Sequence, residues 1–66
     1  MFSVTRGSVY EIWQEIGQMS FAEAVKQGEK WSEEYPEQEI VVYKYVGGYE
    51  DPQPVWAMMN GKKVLD

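Results

Sequence analysis

The side chains of this sequence that could carry out chemistry are carboxylates, because it contains eleven Asp and Glu residues but no His and no Cys. Carboxylates act in pairs as general acid and base, or bind divalent cations. Without His, the chain lacks the side chain that most often transfers protons near neutral pH. Without Cys, it forms no disulfide, thiolate nucleophile or cysteine metal site. A chain of 66 residues also has few residues with which to form a pocket that encloses a substrate. We therefore expect a protein that is not an enzyme and has no cofactor.

The carboxylates are concentrated between Gln18 and Glu39. This segment carries six Glu residues against two Lys residues, so it accounts for −4 of the net charge of −5. Such a surface repels nucleic-acid phosphates and attracts basic proteins. The spacing matches no EF-hand loop, so we expect no metal site. Two interpretations stay open: a solvated face that keeps the domain soluble, and an acidic face that occupies the nucleic-acid groove of a partner.

A helix that begins at Ser20 must position these carboxylates. Ser20 and Glu23 have the spacing of a capping box, in which each side chain bonds to a free backbone N–H. Apolar and small residues then recur with helical period at Phe21, Ala24, Val25, Gly28 and Trp31. The glycine on this face costs about 1 kcal/mol relative to Ala, so we expect the helix to approach a sheet closely there. Pro36 ends the helix near Glu34 or Tyr35.

The second half of the sequence predicts strands. Residues 40–46 are dense in β-branched and aromatic residues, and residues 55–59 form a second such run. The connection between them contains two glycines and two prolines. Asn60-Gly61 has the signature of a type I′ hairpin turn, after which residues 62–65 form a short last strand.

Residues 8–16 fit two different elements. Ser8 and Glu11 have the spacing of another capping box and Gly17 stands where a helix C-cap would lie, which fits a helix. The same stretch is rich in strand formers. We favour a strand, because a single long helix needs a sheet wide enough to cover it. Residues 1–7 are then a frayed lead-in or part of this first strand.

These elements predict one domain over residues 1–66 with an α+β fold. A single helix packs across one face of a small, mainly antiparallel sheet, in the order β-α-β-β with a short terminal strand. There is no apolar run of about 18 residues and no basic leader before an apolar segment. We therefore expect no membrane association and a cytoplasmic setting.

A tyrosine stripe is a further candidate surface. Alternation along residues 40–46 puts Tyr43 and Tyr45 on one face of the sheet and aliphatic residues on the other. If the aliphatic face meets the helix, the tyrosines lie on the open face, near Trp56 or Trp13. Tyr and Trp are frequent anchors of protein interfaces, and aromatic rings also stack on bases. The alternative is that these rings only cover each other as cross-strand pairs.

The candidate partner-binding residues combine the acidic helix, the aromatic residues and the tip of the turn-rich connection. That tip is either an insertion into a partner's pocket or a hairpin connection whose prolines protect the sheet edge. The candidates are Glu29, Glu33, Glu34, Glu37, Tyr43, Tyr45, Tyr49, Glu50, Asp51 and Trp56.

Three stretches carry a resemblance to known proteins: the helix start Ser20-Phe21-Ala22-Glu23-Ala24, the strand Ile40-Val41-Val42-Tyr43, and the closing hairpin Val55-Trp56-Ala57-Met58 with Asn60-Gly61-Lys62. Over residues 8–65 the chain resembles a loose group of very small proteins of phages and mobile elements, including some anti-CRISPR proteins, built as strand–helix–strand–strand. The resemblance implies a non-enzymatic inhibitor that blocks a host nucleic-acid-processing protein. Members use different faces, so no functional residue is transferred.

We therefore expect a phage- or mobile-element-encoded inhibitor that binds a basic host protein, such as a CRISPR effector or a DNA repair enzyme, by surface occupation or DNA mimicry. It would act in the host cytoplasm. Two alternatives stay open. One is a structural or assembly module that acts through homodimerisation. The other is a single-strand nucleic-acid binder, which the net charge of −5 disfavours.

Overall fold

The computed structural model describes residues 1–8, 10–45 and 51–65, and within them one helix packs on one face of a five-stranded sheet. In chain order the elements are β1 (Phe2–Gly7), β2 (Ile12–Met19), α1 (Phe21–Glu34), β3 (Glu39–Lys44), β4 (Gln53–Met59) and β5 (Lys62–Leu65). The strand order across the sheet is β2-β1-β3-β4-β5, and each neighbouring pair is antiparallel. The predicted α+β fold is confirmed.

The main difference from the sequence prediction is β1. Residues 2–7 are neither a lead-in nor part of the first predicted strand, because they form a separate strand between β2 and β3. Val4 and Thr5 of this strand are buried on opposite faces. The chain therefore has the order β-β-α-β-β, and α1 crosses over β1 to connect β2 with β3.

The apparent capping box at Ser8 and Glu11 is the turn between β1 and β2. The Ser8 amide donates to the Glu11 carbonyl at 2.9 Å, and the Glu11 amide donates back at 3.3 Å. The Ser8 hydroxyl accepts a bond from the Tyr10 amide, as in other Ser turns. A Cβ atom at Gly7 would collide with the Glu11 carbonyl oxygen, so this turn requires glycine. The choice of a strand over a helix is confirmed for residues 12–16.

The helix follows its prediction at both ends. The Glu23 amide donates to the Ser20 hydroxyl and the Ser20 amide donates to the Glu23 carboxylate, each at 3.2 Å. The helix ends at Glu34, and the Tyr35 amide caps it by donating to the Trp31 carbonyl. The close approach expected at Gly28 is also confirmed, because an added Cβ would lie 2.7 Å from the ring of Trp56.

The core lies between α1 and the sheet. Ile40 and Val42 of β3 face the helix together with their β4 partners Met58 and Trp56. The β4–β5 turn has the positive φ angles of a type I′ turn, 54° at Asn60 and 75° at Gly61, as predicted. The Gly61 amide donates to the Ser32 hydroxyl at 3.0 Å, which ties this hairpin to the helix.

Candidate binding surfaces

The end of α1 is an acidic surface. Glu29, Glu33 and Glu34 are exposed on the helix, and Glu37 is exposed in the turn that follows it. The last turn of the helix contains no basic residue. Because the C-terminal end of a helix already carries about half a negative charge, carboxylates there are locally unfavourable. Lys30 lies beside Glu33 and Glu34 on this surface, but the carboxylates outnumber it, and the helix dipole does not favour their placement.

The opposite face of the sheet is a groove with small residues along its floor. Ser3, Thr5 and Gly7 of β1, together with Val41 and Ala57 beside them, are buried although no described helix or strand packs on this face. We call this feature the open-face groove.

The walls of the open-face groove follow from the pairing of β1 with its two neighbours. Gly7 pairs with Glu39 of β3 and with Ile12 of β2. Thr5 pairs with Glu15 of β2 and with Val41 of β3, which belongs to the floor, and Ser3 pairs with Tyr43 of β3. Since neighbouring strands lie about 4.8 Å apart, the walls stand about 10 Å apart across β1.

The two ends of the open-face groove differ. At the start of β1, the Tyr45 hydroxyl donates to the Glu15 carboxylate at 2.8 Å, so this pair spans β1 from one wall to the other. At the other end lies a concavity of about 340 Å³ beside the β1–β2 turn. Its lining includes Tyr10, Glu11, Ile12, Glu39 and Tyr43. Tyr10 is 95 % exposed at the rim of this concavity.

The structure separates the candidate residues predicted from the sequence. The helix carboxylates lie on one side of the sheet and Tyr43 and Tyr45 on the other, so one flat partner surface does not contact both. Asp51 is exposed just before β4. Tyr49 and Glu50 lie outside the described residues.

The structure corrects the prediction that Trp56 lies at a partner-binding surface. The Trp56 side chain is 2 % exposed and packs beneath α1, because it pairs with Val42 on the helix side of β3. Sequence reasoning also missed Tyr10, Glu11, Glu15 and Glu39 at the open-face groove. Only the register of β1 against β2 and β3 brings these residues together, and β1 was not predicted as a strand of its own.

Arg6 lies on the helix side of the sheet and is held by neighbouring side chains. Its guanidinium carbon lies 4.2 Å from the ring centroid of Tyr35 and 5.8 Å from that of Trp31. Its Nε donates to the Gln14 side chain and its terminal nitrogen to the Gln38 side chain, each at 2.9 Å. Arg6 is therefore not available to the tyrosines of the other face.

The described carboxylates do not assemble into a metal site: residues 1–8, 10–45 and 51–65 contain no group of three His, Cys, Asp or Glu side chains placed to hold an ion. Within the described part of the chain, one pKa is displaced by a structural cause. The hydrogen bond from the Ser20 amide, followed by that with the Ser20 hydroxyl, lowers the pKa of Glu23 below its ordinary value. This shift belongs to the helix cap.

Comparisons with known proteins found no match to the chain among protein families, curated proteins or solved structures. No helix in the described part of the chain is long and apolar enough to cross a membrane.

Proposed function

We propose that this protein is a non-enzymatic inhibitor, encoded by a phage or mobile element, that blocks a host nucleic-acid-processing protein by occupying its basic surface. The observation that carries the proposal is the acidic end of α1: Glu33 and Glu34 lie in its last turn and Glu37 just beyond it, at the negative end of the helix dipole, and Glu29 lies one turn earlier. A CRISPR effector or a DNA repair enzyme presents the complementary charge, because it must bind phosphates. Such targets would place the protein in the host cytoplasm.

The charge pattern supports inhibition by surface occupation more than direct binding of nucleic acid. Carboxylates at the helix end would lie where the target binds phosphate, and they repel free nucleic acid for the same reason. The single arginine of the sequence is already held by Tyr35, Gln14 and Gln38. The sequence has no second arginine that could hold a phosphate backbone beside the tyrosines.

The proposal is tested by adding the purified protein to CRISPR effectors and DNA repair enzymes and measuring cleavage or repair of labelled DNA. We expect inhibition of one target to saturate at a fixed molar ratio, with a complex that co-elutes in size-exclusion chromatography. A filter-binding assay at low salt checks that the substrate itself is not retained by the inhibitor. Retention of DNA, or inhibition that DNA excess abolishes without a protein complex, would contradict surface occupation of the target.

A second candidate function, assembly through homodimerisation, is favoured by one edge of the sheet. The β5 edge carries Lys62 and Lys63, and lysine is a common protection against edge pairing. The β2 edge has eight residues with no Lys and no Pro, and it exposes Ile12 and Trp13 by 57 % and 54 %. Strand pairing at β2 would join two copies. Light scattering tests this, since a dimer whose mass falls to that of the monomer in Ile12→Lys would support assembly.

A further inference from the structure

We propose that the open-face groove binds an extended segment of a partner protein through an arginine side chain, which enters the concavity beside the β1–β2 turn. This inference deepens the proposed function, because it names the feature of a basic partner that the sheet face recognises. The contact is additional to that of the acidic helix, because it lies on the opposite face of the sheet.

The charge of the groove selects a cation. Glu11 and Glu39 line the concavity, and Glu15 lies further along the same groove. No Lys or Arg lines it among the described residues, and the residues outside that part of the chain include no basic side chain in the sequence. An acidic lining without a cation of its own is complementary to a basic side chain. The same charge opposes entry of a second copy of this chain, whose net charge is −5.

The aromatic residues favour arginine over lysine. Tyr10 and Tyr43 line the same concavity as the two carboxylates. A guanidinium group stacks on an aromatic ring and bonds to a carboxylate through its planar fork, whereas an ammonium group acts as a point charge. Within the fold, the Arg6 guanidinium stacks on the ring of Tyr35 in this way, and there it bonds to two glutamine side chains.

The shape of the groove favours an extended segment. The Tyr45–Glu15 bond crosses β1 at its Ser3 end. Between that bond and the concavity, the walls flank a floor formed by Thr5 and Gly7, whose side chains are small. In an extended peptide, alternate side chains point to the same face. A segment that lies along the groove would therefore present every second residue to the floor and place one arginine in the concavity.

The test uses a defined probe: a capped nine-residue peptide that alternates Arg and Ser, with a citrulline peptide as its neutral control. NMR titration of the ¹⁵N-labelled protein should shift the amide signals of Thr5, Gly7 and Val41 with the arginine peptide alone. Glu11→Gln combined with Glu39→Gln should raise the Kd roughly tenfold, because the free energies of two exposed charge pairs add. The matched control, Glu29→Gln with Glu33→Gln, removes the same charge from the helix and should change the Kd less than twofold.

Several results would overturn the groove proposal. These are equal weakening in the two double variants, equal binding of the citrulline peptide, shifts confined to the end of α1, and no binding at all. The outcome is independent of the inhibition assay. Peptide binding without inhibition of any nucleic-acid enzyme would support the groove proposal and contradict the proposed function. Inhibition without peptide binding would support the proposed function and contradict the groove proposal.

Discussion

The ring of Trp56 fills the space that a side chain at Gly28 would need. An added Cβ would lie 2.7 Å from one ring carbon of Trp56 and 3.1 Å from the next, and 3.2 Å from a methyl of Ile40. Both neighbours are buried, so neither can move aside without disturbing the core. The helix therefore contacts the sheet through a position without a side chain, and this contact sets the distance between the two layers.

Replacing Gly28 by Ala should destabilise the protein, although Ala is the better helix former. The propensity gain is about 1 kcal/mol, whereas overpacking of a buried site costs about 1–3 kcal/mol. We expect a net loss of about 1 kcal/mol in the free energy of unfolding, measured by urea denaturation. Trp56→Phe makes room for the new methyl, so its cost should be smaller in the Gly28→Ala background than alone. A more stable Gly28→Ala variant would contradict the close contact.

Replacing Arg6 by Lys should cost stability even though it keeps the charge. The guanidinium bonds to Gln14 and Gln38 and stacks on Tyr35, and an ammonium group cannot make these contacts together. The buried Gln38 oxygen would lose its donor, so we expect a loss of about 1–2 kcal/mol in chemical denaturation. Lys44→Arg, at an exposed position, is the control and should be neutral. Equal effects of the two substitutions would show that Arg6 acts only through its charge.

The cap at Ser20 predicts a pH dependence of stability. The Ser20 amide and hydroxyl lower the pKa of Glu23 below its ordinary value of 4.5. The ionised carboxylate therefore stabilises the folded state above the unfolded pKa, and this contribution is lost as the pH falls through the folded pKa. Urea denaturation should show a stability difference between wild type and Glu23→Gln that is larger at pH 7 than at pH 3. A difference that grows towards pH 3 would contradict the capping role.

Two neighbouring hydroxyls on the same strand face should respond differently to removal. The Ser3 hydroxyl is buried without a hydrogen-bond partner among the residues that the structure describes, whereas the Thr5 hydroxyl donates to the Val41 carbonyl at 3.3 Å. Burying an unpaired hydroxyl is costly, so Ser3→Ala should raise the free energy of unfolding by about 1 kcal/mol. Thr5→Val removes a bond and should lower it by a similar amount. Thermal unfolding of the two variants side by side checks the opposite signs.

The sequence predicted the elements whose signals are local. The capping box at Ser20, the alternation after Glu39 and the Asn60-Gly61 turn each depend on a few adjacent residues, and each is present. The spacing of Ser8 and Glu11 was ambiguous, because a serine followed three residues later by glutamate also fits a hairpin turn. The prediction of β1 failed for a tertiary reason. A short strand with small polar residues is stable only between two neighbours.

The candidate surfaces could be predicted from the sequence only in part. The exposure of Glu33 and Tyr45 follows from the helical and strand periods. Trp56 was misplaced because the face of β4 depends on its register with β3, which the sequence does not specify. The open-face groove requires three strands in register, so no local pattern indicated it.

The kinetics of partner binding should separate the contributions of the two faces. Neutralising Glu33, Glu34 and Glu37 together with Gln should mainly slow association and flatten its salt dependence, because exposed charges act over long range and are screened by salt. Tyr43→Ala should mainly speed dissociation, because it removes contact area from the other face. Surface plasmon resonance at several salt concentrations measures both rates. Association with a nucleic-acid enzyme that does not depend on salt would contradict DNA mimicry, since a phosphate-binding surface attracts its mimic through charge.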